Sequence, residues 1–240
     1  IGWGLEYAWP RKEEMEEVPH KRFLSDYFTG KWPDSMARGE LYNDDPTSGD
    51  ARLCGTTASL CGLDAAMAEG NEEEIRRAVA CDLMLHACMM TLSGIPMLYS
   101  GDEIGQLNDY SYRQDPAKAA DSRYVHRGAF RWEDAELRKN PETAQSRVFA
   151  GIGRLQELRK KKPVFSGGAS VRTAETWDPS ILCLVREYDG KKLVALFNFS
   201  GKPGTAWIDE PGTYEDLLSG ERVEGKNVAM PPYGARWMLR

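Results

Sequence analysis

The chain has 240 residues, 41% of them hydrophobic and 28% charged, with seven Trp, ten Tyr and seven Phe. That composition supplies a core and excludes an intrinsically disordered chain, and no apolar run approaches the ~20 residues that cross a bilayer. A formal charge of −6 argues against a nucleic-acid partner.

The chain opens on Ile1-Gly2-Trp3, with no Met and no signal peptide, and is expected to be a piece of something longer. Residues 1–68 read as irregular, with Gly, Pro and Asp clusters at 32–34, 44–46 and 49–50. Within them a helix is predicted over 19–29, setting Phe23, Tyr27 and Phe28 on one face. A long loop-rich stretch is either functional or disordered, and this one's aromatic content favours order.

Residues 71–93 give the clearest helix. Asn71 caps it, Glu74 completes a box-like start, Ile75, Val79 and Leu83 recur at four-residue steps, and Gly94 stops it. Residues 95–99, Ile-Pro-Met-Leu-Tyr, then read as a buried parallel strand ending in Ser100-Gly101-Asp102-Glu103. In α/β barrels that end of a strand carries the chemistry. Asp102 and Glu103, as neighbours, point to opposite sides, so holding a loop is expected of them rather than paired-carboxylate catalysis.

A second helix is expected to start with Asn140 as cap and Pro141 at its first position, and Val148, Ile152 and Leu155 form its stripe. Lys160, Lys161 and Lys162 suit its negative end, and Pro163 closes it. From 166 onward the period changes to two. Residues 181–185 and 193–197 are strands joined through an Asp189-Gly190 turn, with shorter candidates near 205–208, 213–217, 226–230 and 235–239. Such spacing predicts an antiparallel sandwich or barrel, with a domain boundary near 163–168.

The five cysteines, at 54, 61, 81, 88 and 183, form no Cys-x-x-Cys pair, and the three histidines lie at 20, 86 and 126. Cys81, His86 and Cys88 do not share a helix face, so buried thiols are expected, with no metal. Few cysteines, odd in number, point to a reducing, cytoplasmic compartment. No phosphate-binding glycine loop and no Gly-x-Ser-x-Gly elbow occurs, and no cofactor is expected. Arg52 and Arg123 stand in long loops beside carboxylates. A planar guanidinium there could position a hydroxylated substrate.

The stretch Gly94-Ile95-Pro96-Met97-Leu98-Tyr99-Ser100-Gly101-Asp102-Glu103-Ile104-Gly105 closely resembles the eighth barrel strand of the α-amylase family, glycoside hydrolase family 13. Residues 121–127 with Asn108-Asp109, and 45–52 with Gly55-Thr56, resemble its amylosucrase and sucrose hydrolase branch. Phe197-Asn198-Phe199-Ser200, residues 214–220, and Pro232-Tyr233 with Trp237 resemble the family's C-terminal β-sandwich. The resemblance implies an α/β plus β fold: the C-terminal portion of a (β/α)8 TIM barrel followed by an antiparallel β-sandwich. Residues 1–68 would be the extended loop after strand seven, 69–165 the last barrel helices and strand eight, and 166–240 the β-sandwich.

The same resemblance implies a retaining parent enzyme that transfers a glucosyl unit from sucrose or a related α-glucoside to water or a sugar. Its three catalytic carboxylates would lie upstream of Ile1, leaving no catalytic residue in this chain and the chain alone inactive. Arg52 is implied to contact the sugar on the leaving-group or acceptor side. Arg123 is implied to pair with an upstream Asp below the glucosyl pocket and, without it, to be solvated. Lys21 stands where the branch often carries an arginine and lacks its fork. Gly128 replaces a usual Pro, with little consequence expected. The implied partners are a sucrose or α-glucan substrate and an amino-terminal barrel half, with no nucleic acid and no membrane. A competing reading is a non-catalytic carbohydrate-binding or interaction module resting on Trp177, Trp207 and Trp237, which would gain if Trp177 and Trp207 were solvent-exposed and coplanar and fall away if they were buried.

Overall fold

The computed structural model describes residues 17–240. They form two compact units, one running to Ala78 and from Ser100 to Lys139, the other taking Val79–Tyr99 and Asn140–Arg240.

In the first unit, helix α1 (Glu17–Phe28) forms where the aromatic spacing predicts it. The Phe23 ring lies 6.0 Å from Tyr27, one turn on, and meets Trp32 edge-on at 4.8 Å. A short antiparallel hairpin follows, β1 (Glu40–Tyr42) with β2 (Arg52–Cys54), in a register that sets Tyr42 opposite Arg52. Its connection is closed by Asp45, which accepts from Thr47 N at 2.8 Å and Ser48 Oγ at 2.9 Å. Helices α2 (Thr57–Leu60) and α3 (Leu63–Glu69) come next, α2 capped by the Thr56 hydroxyl. The buried Asn108 ties these pieces together. It accepts from Thr56 N at 2.9 Å, donates from its own N to Ser59 Oγ at 2.9 Å, and donates from Nδ2 to the Arg38 carbonyl.

Helix α4 (Glu72–Thr91) starts as expected, with Asn71 Oδ1 accepting from Glu73 N at 3.2 Å and Glu74 N at 3.3 Å. The second unit contains most of it. Its buried stripe runs through Val79, Met84, Ala87 and Met90 and takes in Asp82 and His86. These two polar residues sit four apart, His86 Nδ1 hydrogen-bonding with the Asp82 carbonyl oxygen at 2.8 Å and lying 3.1 Å from Asp82 Oδ1. After α5 (Trp132–Glu136) of the first unit comes α6 (Ala144–Lys161), whose Val148, Ile152 and Leu155 are buried as read. Its cap is Thr143 and not Asn140, because the Thr143 hydroxyl accepts from Ser146 N at 3.2 Å while Asn140 and Pro141 belong to the preceding turn. At Gly151 a Cβ would come within 2.5 Å of Leu83 Cδ2, so the missing side chain lets α6 close on α4.

Residues 95–99 do not form the predicted strand. They belong to none of the three sheets, and Ile95 is 90% and Met97 82% exposed. A strand is held by inter-strand hydrogen bonds, and among the described residues no neighbour offers this segment a ladder.

The strands predicted after residue 166 are present and pair antiparallel, and two more, at 170–174 and 222–224, join them. Strands β3 (Ser170–Ala174), β4 (Ile181–Tyr188), β5 (Lys191–Asn198), β7 (Thr213–Asp216), β8 (Arg222–Glu224) and β10 (Ala235–Leu239) form a six-stranded sheet ordered β3-β4-β5-β10-β7-β8. Strands β6 (Gly204–Trp207) and β9 (Asn227–Met230) form a separate pair. Asp189 and Gly190 turn the β4–β5 hairpin with φ of 48° and 70°, both in the left-handed region that such a turn requires. Ile181, Cys183, Val194 and Leu196 of the large sheet pack with Ala206, Val228 and Met230 of the small one. Trp237, buried on β10, sets its ring 4.7 Å from Phe165.

Arg186 is an unanticipated feature of this unit. It is fully buried on β4 and donates three hydrogen bonds to backbone carbonyls: Nε to Val164 at 2.9 Å, Nη1 to Thr91 at 2.7 Å and Nη2 to Ser166 at 2.9 Å. One of those carbonyls closes the negative end of α4, where a cation is favoured. Among the described residues no helix is long and apolar enough to cross a membrane.

Candidate functional site

Arg52 and Arg123, 71 positions apart in the sequence, line one cleft of about 330 Å³ in the first unit. Tyr42, Cys54, His126 and Arg127 line it as well. The β1–β2 hairpin sets one wall. Because Arg52 and Tyr42 are directly opposed across the ladder, their side chains leave the hairpin on the same face. The other wall is the turn Ser122–His126, pinned to the hairpin by Ser122 Oγ, which donates to the Leu41 carbonyl at 2.8 Å.

Arg123 is not simply solvated. Asp121 holds it in a fork, with Nε 2.8 Å from Oδ1 and Nη2 2.7 Å from Oδ2, and its guanidinium stacks 4.3 Å from the centre of the Tyr42 ring. The reason is local: Asp121 caps the turn by accepting from Arg123 N at 3.0 Å, and that geometry brings carboxylate and guanidinium together two residues apart. Hydrogen bonding from Arg123 lowers the Asp121 carboxyl to about 2, and the same bond raises Arg123 further above its usual range. Arg52, by contrast, stays exposed at the cleft.

Burial, followed by the charge of Arg127, lowers the pKa of His126, so the imidazole is held neutral at pH 7. Burial also pushes up the Cys54 thiol, which packs with Tyr112 and Val125, and this removes it as a thiolate nucleophile. The cleft therefore offers guanidinium donors and an aromatic face, an arrangement that suits hydroxyl or anionic oxygen ligands.

Two further residues differ from what was expected. Lys21 is buried and its Nζ contacts Asp50 Oδ1 at 2.6 Å, so its ammonium holds the loop between β1 and β2. Gly128 matters more than expected. A Cβ there would lie 2.6 Å from Asp109 Oδ2 and 2.7 Å from Asp109 Cβ. As read from the sequence, Glu103 and Asp102 hold a loop, Glu103 accepting from Gly101 N at 2.9 Å and Asp102 from Thr57 Oγ1 at 3.3 Å. Tyr42, the aromatic centre of the cleft, escaped the sequence reading. Its only signal is its place one strand-turn away from Arg52, and pairing across a loop of nine residues is invisible to periodicity.

Comparison with known proteins finds a distant relative in sequence and similar folds among solved structures. The chain is 25% identical over 158 residues to glucosylglycerate phosphorylase of Escherichia coli (strain K12), the match taking in 65% of this chain and 27% of the phosphorylase. The fold is similar to that of the trehalulose synthase MutB from Pseudomonas mesoacidophila MX-45, with a TM-score of 0.52, 16% identity, and 67% of this chain against 38% of the synthase covered. It is also similar to that of AmyP in complex with maltose, with a TM-score of 0.55, 18% identity, and coverage of 68% and 35% respectively. Residues 183–236 match the family described as beta-galactosidase C-terminal domain, which spans β4 to the start of β10. The chain thus spans about a quarter to two fifths of the length of these relatives.

Proposed function

We propose that this chain is the carboxyl-terminal part of a retaining, α-glucoside-active enzyme of the amylosucrase and sucrose hydrolase type, and that its Arg52–Arg123 cleft shapes the sugar site. The parent would transfer a glucosyl unit from sucrose or a related α-glucoside to water or a sugar acceptor, in a reducing, cytoplasmic compartment. A covalent step of that kind needs a nucleophilic carboxylate and a second carboxyl as acid and base about 5–5.5 Å apart. We assign those carboxylates to other strands of a (β/α)8 barrel, so the chain by itself binds sugar without turning it over. The observation that carries the reading is the convergence of Arg52 and Arg123 on one cleft, with the Arg123 fork stacked on Tyr42.

In this reading the Asp121 carboxylate orients Arg123 and leaves its remaining N–H groups for sugar hydroxyls, while exposed Arg52 reaches the leaving-group or acceptor side. The test follows the Nε–H resonances of the arginines in ¹H–¹⁵N spectra as sucrose or maltose is added. Shifts at Arg52 and Arg123, lost in Arg123→Lys, are expected; silence at both resonances overturns the assignment. Release of reducing sugar by the 240-residue chain above a blank would instead show that catalysis resides here.

A further inference from the structure

Residues 175–180, between β3 and β4, form a loop held rigidly from within. The buried Thr176 hydroxyl contacts the carbonyls of Asp178 at 2.9 Å and Ile181 at 2.8 Å. Asp178 Oδ1 accepts from Ser180 N at 2.9 Å and Ser180 Oγ at 2.7 Å. The other Asp178 oxygen sits 2.8 Å from where a Cβ of Gly204 would be, so the absent side chain lets the loop close on β6.

At the apex of this loop stands Trp177, with φ of +58° and 82% of its surface exposed. A bulky side chain in left-handed backbone is strained, and here no burial of the indole compensates for it. Two more exposed aromatics are bonded to the same loop through the main chain. Trp207 N donates to the Thr176 carbonyl at 2.8 Å, and Phe199 N donates to the Ser180 carbonyl at 2.9 Å. Trp207 is 51% and Phe199 46% exposed. The β6–β9 pair presents Thr205 and Asn227 on the same outer face as Trp207. A cavity of about 310 Å³ beside Trp177 is lined by Glu175 and Asp178.

Strain, exposure and rigidity together mark a device for binding, and its chemistry narrows the occupant. Aromatic faces stack with the C–H face of a sugar ring, and hydroxyl, amide and carboxylate groups beside them take its hydroxyls. A lipid surface selects basic residues, whereas this loop carries Glu175 and Asp178. A stable protein partner covers about 800 Å² on each side with a largely apolar centre, and here the aromatics are interleaved with polar groups. We propose that Trp177, Phe199 and Trp207 form a second carbohydrate-binding surface, on the β-strand unit, that holds a segment of an α-glucan chain. Only the choice of an α-glucan rests on the function proposed above.

The 240-residue chain is run on native gels containing amylopectin, and its tryptophan fluorescence is titrated with maltoheptaose. Retardation of the wild type is expected, with affinity for amylopectin about tenfold lower in Trp177→Ala and in Trp207→Ala and retardation lost in the double variant. Trp177→Phe keeps most of the affinity. Trp177→Gly binds as weakly as Trp177→Ala yet melts a few degrees higher, because glycine removes the left-handed strain, and this separates binding from folding. The maltose-induced shifts at the Arg52 and Arg123 Nε–H resonances persist in the double Trp variant, so failure at the cleft and failure here are told apart. The proposal is overturned if the folded wild type runs unretarded, or if Arg123→Lys abolishes retardation that the double Trp variant retains. It is equally overturned if gel filtration shows a dimer that the double variant converts to monomer, since the patch would then be a self-association surface.

Discussion

Replacing Arg186 tests the account of the β-strand unit most directly. Its guanidinium donates three hydrogen bonds, all to backbone carbonyls, those of Thr91, Val164 and Ser166. Charge-assisted bonds contribute roughly 1.5–3 kcal/mol each, so three give about 5–9 kcal/mol before the cost of burying the charge is subtracted. That cost is several kcal/mol per ion, which leaves a net loss of about 2–4 kcal/mol for Arg186→Met. At ~2–4 °C per kcal/mol for a chain of this size, Tm should fall by roughly 5–15 °C. Arg186→Lys is the sharper test. It keeps the charge in a buried position but replaces a planar fork, which fits three separate carbonyls, by a compact and more strongly hydrated ammonium. The lysine variant should therefore lose at least as much as the methionine variant. Urea unfolding followed by circular dichroism and by fluorescence of the buried Trp237, next to Phe165, gives both numbers. A lysine variant within about 0.5 kcal/mol of wild type, or a methionine variant more stable than wild type, would refute the reasoning.

Gly128→Ala should cost about 1–3 kcal/mol, because its Cβ would collide with Asp109, which caps Ser111 N at 2.9 Å; an unchanged urea midpoint would show that Asp109 gives way freely. The lowered pKa of His126 has a definite sign. Below the unfolded value of about 6.5 the unfolded chain takes a proton that the folded chain refuses, so His126 makes stability fall as pH drops from that value through the folded one. His126→Gln should flatten the dependence of the urea midpoint between pH 7 and 5, and an unaltered slope would clear His126 of the effect.

Much of the local structure was legible from the residues. The Asn71 cap, the Asp189-Gly190 turn and the β4–β5 hairpin are each written within a few positions, and each appears as read, whereas Glu74 pairs with Arg77 instead of closing a box and both strands are buried in continuous runs. Both candidate arginines were also visible, but as isolated loop residues. Their convergence depends on a hairpin register and a capped turn whose partners are separated by some seventy positions, and no local pattern reports such a pairing. The failure at 95–99 has the same origin in reverse. Ile95–Tyr99 has strand composition, yet a strand exists only where a neighbour supplies its hydrogen bonds. Thr143 displaced Asn140 as the cap of α6 because two competent capping residues lie three positions apart, and the geometry of the turn between them decided the outcome.

By itself, then, the sequence determined the two long helices, the buried stripe of α6 and the hairpin at 189–190, since these arise from backbone preferences and burial periodicity over short spans. Tertiary structure alone decided that Lys21 would be locked to Asp50, that Arg123 would be gripped by Asp121 over Tyr42, that Arg186 would be buried among carbonyls and that Trp177 would stand exposed under strain. The physical reason is common to all four. A charged or aromatic side chain costs or contributes free energy according to what surrounds it, and its surroundings are assembled from segments that only the folded chain brings together.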